Sequence, residues 1–303
     1  MYDTARLSRL MLYVFILVSA NCKPPQKTFM IPAFDKEGHR GCRGLMPENT
    51  IPAMIRAVHL GVNTLEMDAV ISRDKKVVVS HDPFFSWEIS TDPGGMTIAQ
   101  KDEQQYNLYR MDYAEIRKWD VGLKPHPRFP NQEKLRAVKP LLADLIDSVE
   151  QYTRKNKLPP VQYNIETKSM PATDNIFHPK PEEFTDLLMR VVLEKKTAER
   201  TIIQSFDVRT LQVMHRKYPR IRTALLIEGF DKKTAQENIS LLGFTPSVYS
   251  PEFTLVDDEL VRFCHANGMK LIPWTVNDRN NIKKLKGMHV DGMITDYPDL
   301  FGE

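Results

Sequence analysis

Gly38-His39-Arg40-Gly41 runs through Cys42-Arg43-Gly44-Leu45-Met46 into Pro47-Glu48-Asn49-Thr50, and an apolar-periodic run, Ile51 to Leu60, follows at once. That order reads as a loop delivering the chain into a capped helix. Ile51, Met54, Ile55 and Val58 fall on one helical stripe, and Gly61 is its stop. Upstream, Ile31 to His39 is the first candidate strand, weak on pattern because of Asp35-Lys36-Glu37. The His-Arg pair sits among glycines, which let backbone approach a ligand closely. An imidazole moves a proton near neutral pH, and a guanidinium clamps a phosphate with two parallel hydrogen bonds.

Working outward, Thr64 to Val70 alternates as a strand and puts Glu66 and Asp68 on one face. Val77 to His81 reads as a buried strand ending in His81-Asp82. The connection between them, Ser72 to Lys76, is too short for a helix and breaks the βαβ rhythm. Regular alternation resumes later. Leu141–Asn156, Pro181–Lys195, Val208–Tyr218, Lys233–Leu242, Val256–Asn267 and Arg279–Gly287 read as helices. Val161–Glu166, Thr201–Phe206, Ile221–Ile227, Ser247–Tyr249, Met269–Val276 and Gly292–Thr295 read as strands. The pattern argues for a parallel sheet covered by helices. Polar residues at many strand ends, with no glycine-rich phosphate loop after the first strand, favour a (β/α)8 TIM barrel over an open doubly wound sheet. The strand count is one above a barrel's need, and the weak first strand and the short Ser247 segment are the suspected surplus. The 303 residues suit one barrel domain, spanning 31–303.

The barrel carries a long loop insertion after the His81-Asp82 strand, about residues 83–139. It contains the turn Asp92-Pro93-Gly94-Gly95, a short helix within Tyr113–Trp119, and extended chain at Lys124–Pro130. A connection of this length reads as an excursion over the barrel mouth that lines substrate, made locally basic by Lys124, His126 and Arg128. At the N-terminus, Arg6 and Arg9 precede the apolar run Leu10–Val18, and Ser19-Ala20-Asn21-Cys22 follows. Residues 1–22 are expected to be a signal peptide, with lipid attachment at Cys22 as the alternative, and 23–30 a polar tether. The protein is therefore expected to be exported, and periplasmic or lipid-anchored to the membrane. A net charge of +3 without a dense basic run excludes a nucleic-acid surface. With three cysteines, Cys22, Cys42 and Cys264, free thiols are expected rather than a bridge.

HRGCRGLMPENT, LEMDAV, VVVSHD, YNIETK and PWTVN, in this order, resemble the glycerophosphodiester phosphodiesterase family from about Gly38 to Pro298. The resemblance implies hydrolysis of a small-molecule glycerophosphodiester to glycerol 3-phosphate and an alcohol. It implies that His39 and His81 are the general acid and base, in an order left open, and that Glu66, Asp68 and Glu166 ligate a metal. The residues by themselves fit that role. Three carboxylates near the ends of two strands offer oxygens to one hard divalent cation, Mg2+ or Ca2+. Two imidazoles flanking a phosphate suit paired proton transfer, and Arg40 and Lys168 suit neutralisation of phosphoryl charge. The attack comes from the neighbouring glycerol hydroxyl, through a cyclic phosphate that water opens, or from water directly. The family commonly has a glycine in the turn after the second strand, where this chain has Asp74-Lys75-Lys76, so Asp74 or Lys75 must take up its conformation.

Blander readings attach to several of these residues. Each carboxylate alone is equally a solvated strand-end charge, and Glu48 reads as orienting Arg40 or the metal shell, or as a favourable charge at a helix N-terminus. Trp274 reads as a wall for the substrate's glycerol or headgroup, or as ordinary core. Asn277 and Asp82 are candidates to support the metal shell. His59, His126, His178, His215, His265 and His289 read as structural or surface. One rival keeps the fold and acts on lysophospholipid or sphingolipid headgroups, as phospholipase C/D-like barrels do, with Pro83-Phe84-Phe85 and Trp87 as a membrane spike. Another is a binding protein that captures phosphorylated ligands without turnover.

Overall fold

A computed structural model describes residues 32–302; the expected signal peptide, the tether and Cys22 lie outside the described residues. Its elements are β1 Asp35–Gly38, α1 Ile51–His59, β2 Thr64–Ile71, β3 Val77–Val79, α2 Tyr113–Ile116, α3 Leu142–Lys155, β4 Gln162–Thr167, α4 Pro181–Glu194, β5 Thr201–Ser205, α5 Val208–Lys217, β6 Arg222–Ile227, α6 Ala235–Leu242, β7 Val248–Pro251, α7 Asp258–Ala266, β8 Lys270–Leu271, α8 Arg279–Gly287 and β9 Gly292–Thr295. Eight strands pair in parallel in the order β9-β1-β2-β4-β5-β6-β7-β8. The ring is drawn together between its two ends by backbone bonds. Asp291 N–H donates to Leu271 O at 2.9 Å, Ile294 N–H to Pro273 O at 3.0 Å, and Val276 N–H to Ile294 O at 2.9 Å. The fold is a (β/α)8 TIM barrel.

Three strand assignments are corrected. The surplus strand is β3, which folds back antiparallel on β2 with Val78 opposite Val70; the weak first segment and the Ser247 segment both supply barrel strands. The expected strand Met269–Val276 contracts to Lys270–Leu271. Pro273 has no N–H to give the ladder, yet the chain stays in register, because Ile272 and Trp274 donate to Tyr249 O and Pro251 O at 3.1 and 3.0 Å. In the β2–β3 turn Lys75 takes φ 59°, so the position lacking the glycine is filled by a left-handed lysine.

Alternation along each strand divides the interior into two regions. Outward residues such as Leu65, Met67, Ile165, Ile203 and Leu225 pack beneath the helices with Ala53, Leu145, Phe184 and Leu211. Their neighbours turn inward. On β6 to β9, with Ile202 from β5, the inward set is Ala224, Val248, Ile272 and Ile294, a separate apolar cluster that Trp274 packs against. On β1, β2 and β4 it is Asp35, Glu37, Thr64, Gln162 and Asn164, all buried and joined by hydrogen bonds.

The insertion has a core of its own. Phe85, Ile89, Leu108, Ile116, Trp119 and Val121 pack on Val70 and Val78 of the β2–β3 hairpin, and the Phe85 and Trp119 rings stack 4.2 Å apart. Phe85 is therefore a core residue, which removes it from the membrane spike. His126 does not contribute to a basic surface; it is 2% exposed and faces Glu48 at 3.7 Å.

Candidate active site

A cleft of about 720 Å³ opens over the C-terminal ends of the strands, where barrels of this class carry their sites. His39, Arg40, Glu66, His81, Glu166, Lys168 and Trp274 all line it, while Asp68 lies buried beneath. The insertion adds Pro83, Phe84, Gln104 and Arg128 to the wall.

The loop after β1 is shaped by local chemistry. Arg40 and Asn49 adopt φ of 49° and 56°, a left-handed conformation that costs about 1–2 kcal/mol for a residue with a side chain and that functional sites retain when the surroundings enforce it. A Cβ on Gly41, at φ +83°, would stand 2.8 Å from the backbone of Ala53. Thr50 caps α1, accepting from Ala53 N–H at 3.3 Å and donating to Pro47 O at 2.6 Å. These constraints fix the loop against the strand ends. Arg40 N–H donates to Glu66 Oε2 at 2.7 Å. Asn49 grips Asp68 twice, Nδ2 donating to Oδ2 at 2.8 Å and Oδ1 accepting from the backbone N–H at 3.2 Å.

Glu66, Asp68 and Glu166 each present a carboxylate oxygen within 4.8 Å of the others, all three buried. Packing carboxylates this closely is unfavourable. Burial, then the charge of Asp68, drive Glu66 well above the ordinary carboxylate range. Burial also pushes Glu166 up to about 7, although Lys168 opposes it. Asp68 goes the other way, because Lys168 and Arg40 outweigh burial and hold it below its usual value. An all-oxygen set carrying this much crowded negative charge is suited to a hard divalent cation. The two bases are already engaged with it. Arg40 Nη1 donates to Glu48 at 2.7 Å and its Nε stands 3.3 Å from Asp68. Lys168 Nζ lies 2.7 Å from Glu166 and 3.7 Å from Asp68. Glu48 thus orients Arg40 rather than the carboxylate cluster.

The two histidines resemble each other in placement. His39 Nδ1 lies 2.7 Å from Asp296 Oδ1, and His81 Nδ1 lies 3.0 Å from Asp82 Oδ1. An ionised carboxylate only accepts, so Nδ1 carries the proton in each ring and Nε2 keeps its lone pair. Burial lowers the pKa of His39 to about 4 and lowers that of His81 as well. Asp296 is held by three residues: His39, a bidentate Arg43 at 2.8 and 3.0 Å, and Asn277 at 2.7 Å. Asn277 and Asp82 therefore support the histidines rather than the carboxylate cluster. Asp296 and Arg43 were missed from sequence; the available signal was an Asp following the last strand. Gln204, near the end of β5, donates to Glu66 Oε1 at 2.8 Å. Trp274 is fixed by its indole N–H to Ser250 O at 2.9 Å and meets Phe206 edge-on at 5.5 Å.

Buried acids, two neutral imidazoles and two bases in one barrel mouth define a class, the hydrolases of phosphate esters. A model of the glycerophosphoryl diester phosphodiesterase family matches residues 39–300, and the chain belongs to that family. It is 29% identical over 266 residues to a glycerophosphodiester phosphodiesterase of Caldanaerobacter subterraneus subsp. tengcongensis, an alignment covering 86% of this chain and 93% of the other. A second such enzyme, from Bacillus subtilis, is 29% identical over 273 residues, covering 87% and 83%. The solved structure of a provisionally named glycerophosphoryl diester phosphodiesterase from Silicibacter pomeroyi DSS-3 superposes with a TM-score of 0.77 at 30% identity, covering 89% of this chain and 92% of that one. The protein is a phosphoric diester hydrolase that acts on glycerophosphodiesters.

Proposed function

We propose that the hydrolysis, yielding glycerol 3-phosphate and an alcohol, uses one divalent cation and a pair of histidines as general acid and base. The carboxylate cluster carries this reading, because three buried acids with oxygens within 4.8 Å of one another are unfavourable without a cation. Glu66, Asp68 and Glu166 would hold Mg2+ or Ca2+, which when bound lowers the pKa of an oxygen nucleophile and offsets phosphoryl charge. One imidazole takes the proton of the attacking oxygen through its free Nε2; the other, neutral in the free protein, takes up a proton at Nε2 beside the bound phosphodiester anion, which favours its charged form, and delivers it to the leaving alkoxide. The attacker is the glycerol hydroxyl beside the phosphate, giving a cyclic phosphate that water then opens, or water itself. Arg40 and Lys168 neutralise the phosphodiester, and the Trp274 face receives the glycerol carbons.

We further propose that this reaction runs outside the cytoplasm, in the periplasm or on a membrane through Cys22; the support is the basic, apolar and small-residue order of residues 1–22. The test is glycerol 3-phosphate release from a panel of glycerophosphodiesters by protein lacking residues 1–22, with Mg2+, with Ca2+ and with chelator. Release that chelator abolishes and metal restores is expected; release unaffected by chelator would overturn the cation's role.

A second substrate reading, lysophospholipid or sphingolipid headgroups, draws on the cleft's apolar wall. Phe84, Phe177, Phe206 and Met170 line it, and Met170 and Ile176 are 54% and 50% exposed. Faster turnover of lysophospholipids than of glycerophosphodiesters, with sedimentation on vesicles, would favour it.

A further inference from the structure

We infer that Glu37, Asn164 and Gln204 form a hydrogen-bonded string inside the barrel that positions Glu66 for the divalent cation. The inference rests on the cation reading given above. Glu66 is held at both oxygens by neutral donors: the Arg40 backbone N–H at 2.7 Å on Oε2, and Gln204 Nε2 at 2.8 Å on Oε1. Each oxygen has more than one lone pair, so both remain able to ligate. A glutamine side chain is two-faced, however. Turned over, it would aim its carbonyl at the carboxylate and repel it.

The next residue down removes that freedom. Asn164 Nδ2 donates to Gln204 Oε1 at 3.0 Å, which turns the Gln204 NH2 toward Glu66. Asn164 is oriented in turn by its second hydrogen, donated to Glu37 Oε2 at 2.8 Å. All four side chains are at least 97% buried, so water offers no substitute partner. With both hydrogens of Asn164 committed, its Oδ1 has no partner although it is buried. Such an orphan is costly and rare, and here it accompanies the one amide orientation in which Gln204 donates. Strand register makes the string possible. Asn164 stands beside Glu66 on β2 and Ile202 on β5, and Gln204 beside Glu166 on β4. The carboxyl of Glu37, on β1, thus sets the polarity of a side chain at the mouth through two amides.

The residues are positioning residues, and the test reads cation binding rather than turnover. Calorimetric titration of Mg2+ and of Ca2+ into metal-free protein compares the wild type with Asn164→Leu, Glu37→Met and Glu37→Gln, each checked for folding by circular dichroism. Losing a partner that orients a ligand typically weakens metal affinity by about 10- to 100-fold. Asn164→Leu cannot donate and Glu37→Met cannot accept, so both are expected to fall in that range. Glu37→Gln keeps an acceptor and is expected to stay within about threefold of wild type, a rescue that loss of packing would not produce. Wild-type affinity in folded Glu37→Met, or in folded Asn164→Leu, would overturn the string. A wild type that binds neither ion would instead overturn the cation reading, and the string with it.

Discussion

One barrel has two interiors. From β1 through β4 the inward side chains are Asp35, Glu37, Thr64, Gln162 and Asn164, and above them stand Glu66, Asp68 and Glu166. On the other side Ile202, Ala224, Val248, Ile272 and Ile294 pack as bulky side chains normally fill a barrel, ending in Trp274 at the mouth. The difference separates two tasks. The polar side concentrates charge and hydrogen bonds that hold acids together against their mutual repulsion. The apolar side supplies a stiff, dry wall and keeps the dielectric around those acids low. The comparison makes chemistry sensitive to substitutions on one side and stability sensitive to substitutions on the other.

The largest effect is expected at the histidines that bracket the polar side. His39→Ala and His81→Ala should each cut kcat on a glycerophosphodiester by about 10²- to 10⁴-fold, the usual worth of positioned proton transfer, while circular dichroism stays unchanged. A variant within tenfold of wild type would remove that histidine from the chemistry. The apolar side should respond in the opposite sense. Ile272 is 1% exposed, so Ile272→Ala should cost about 2–5 kcal/mol of stability through lost burial and the cavity left behind, read as a lower urea midpoint. Its kcat below the transition should stay near that of wild type. A large fall in kcat with an unchanged midpoint would contradict the division of tasks.

The two sides also differ in how far they can be read from sequence. That His39, Arg40, Glu66, Asp68 and His81 gather at one barrel mouth was legible because each lies in a short motif on or just after a strand. The helices were legible from their stripes, within two residues at most ends. The polar interior was not legible. Asp35 and Glu37 weaken the first strand on pattern, since alternation predicts apolar inward residues, and only the closed ring shows that they face other polar groups. Asp296 was invisible for a different reason. It meets His39 across 257 positions, and nothing local distinguishes it from any other Asp after a strand. His126 was misjudged because burial by an insertion depends on contacts that the insertion's own sequence does not specify. The extra strand was misattributed because periodicity reports extended chain and not its direction; only the short turn at Ser72–Lys76 hinted that β3 runs back along β2.

A smaller effect sharpens the comparison within the polar side. Burial, then the neighbouring charge of Asp35, push the Glu37 carboxyl well above its ordinary value of 4.5. A raised carboxyl means that the folded state binds the proton more tightly than the unfolded chain. Its contribution is fully present below the unfolded value and is lost as pH climbs toward the folded one. Glu37→Gln cannot titrate. Its stability relative to wild type should therefore rise as pH climbs above the ordinary value of 4.5, measured as the difference in urea midpoint at each pH. A difference that does not change with pH would place the Glu37 proton at its ordinary value and remove the effect assigned to burial and to the charge of Asp35.

The smallest effect concerns the two thiols, which lie in contrasting places and should behave alike. Cys42 lies in the loop after β1, one residue beyond Gly41, and donates to Ala53 O at 3.3 Å. Cys264 sits on α7, far along the chain from the charged mouth, beneath β8. Both are free and buried. Burial pushes each up to about 12, so neither supplies thiolate near neutral pH, and thiolate is the reactive form. A loop full of charge gives Cys42 no activation because its sulfur points away from the cleft into the α1 packing, where Ala53 and Met54 are fully buried. Iodoacetamide at about pH 8 should leave both unmodified in the folded protein and label both after unfolding in urea. Labelling of Cys42 alone in the folded state would show that the loop opens to solvent, and that the strained Arg40 and Asn49 conformations are not held as rigidly as the hydrogen bonds to Glu66 and Asp68 imply.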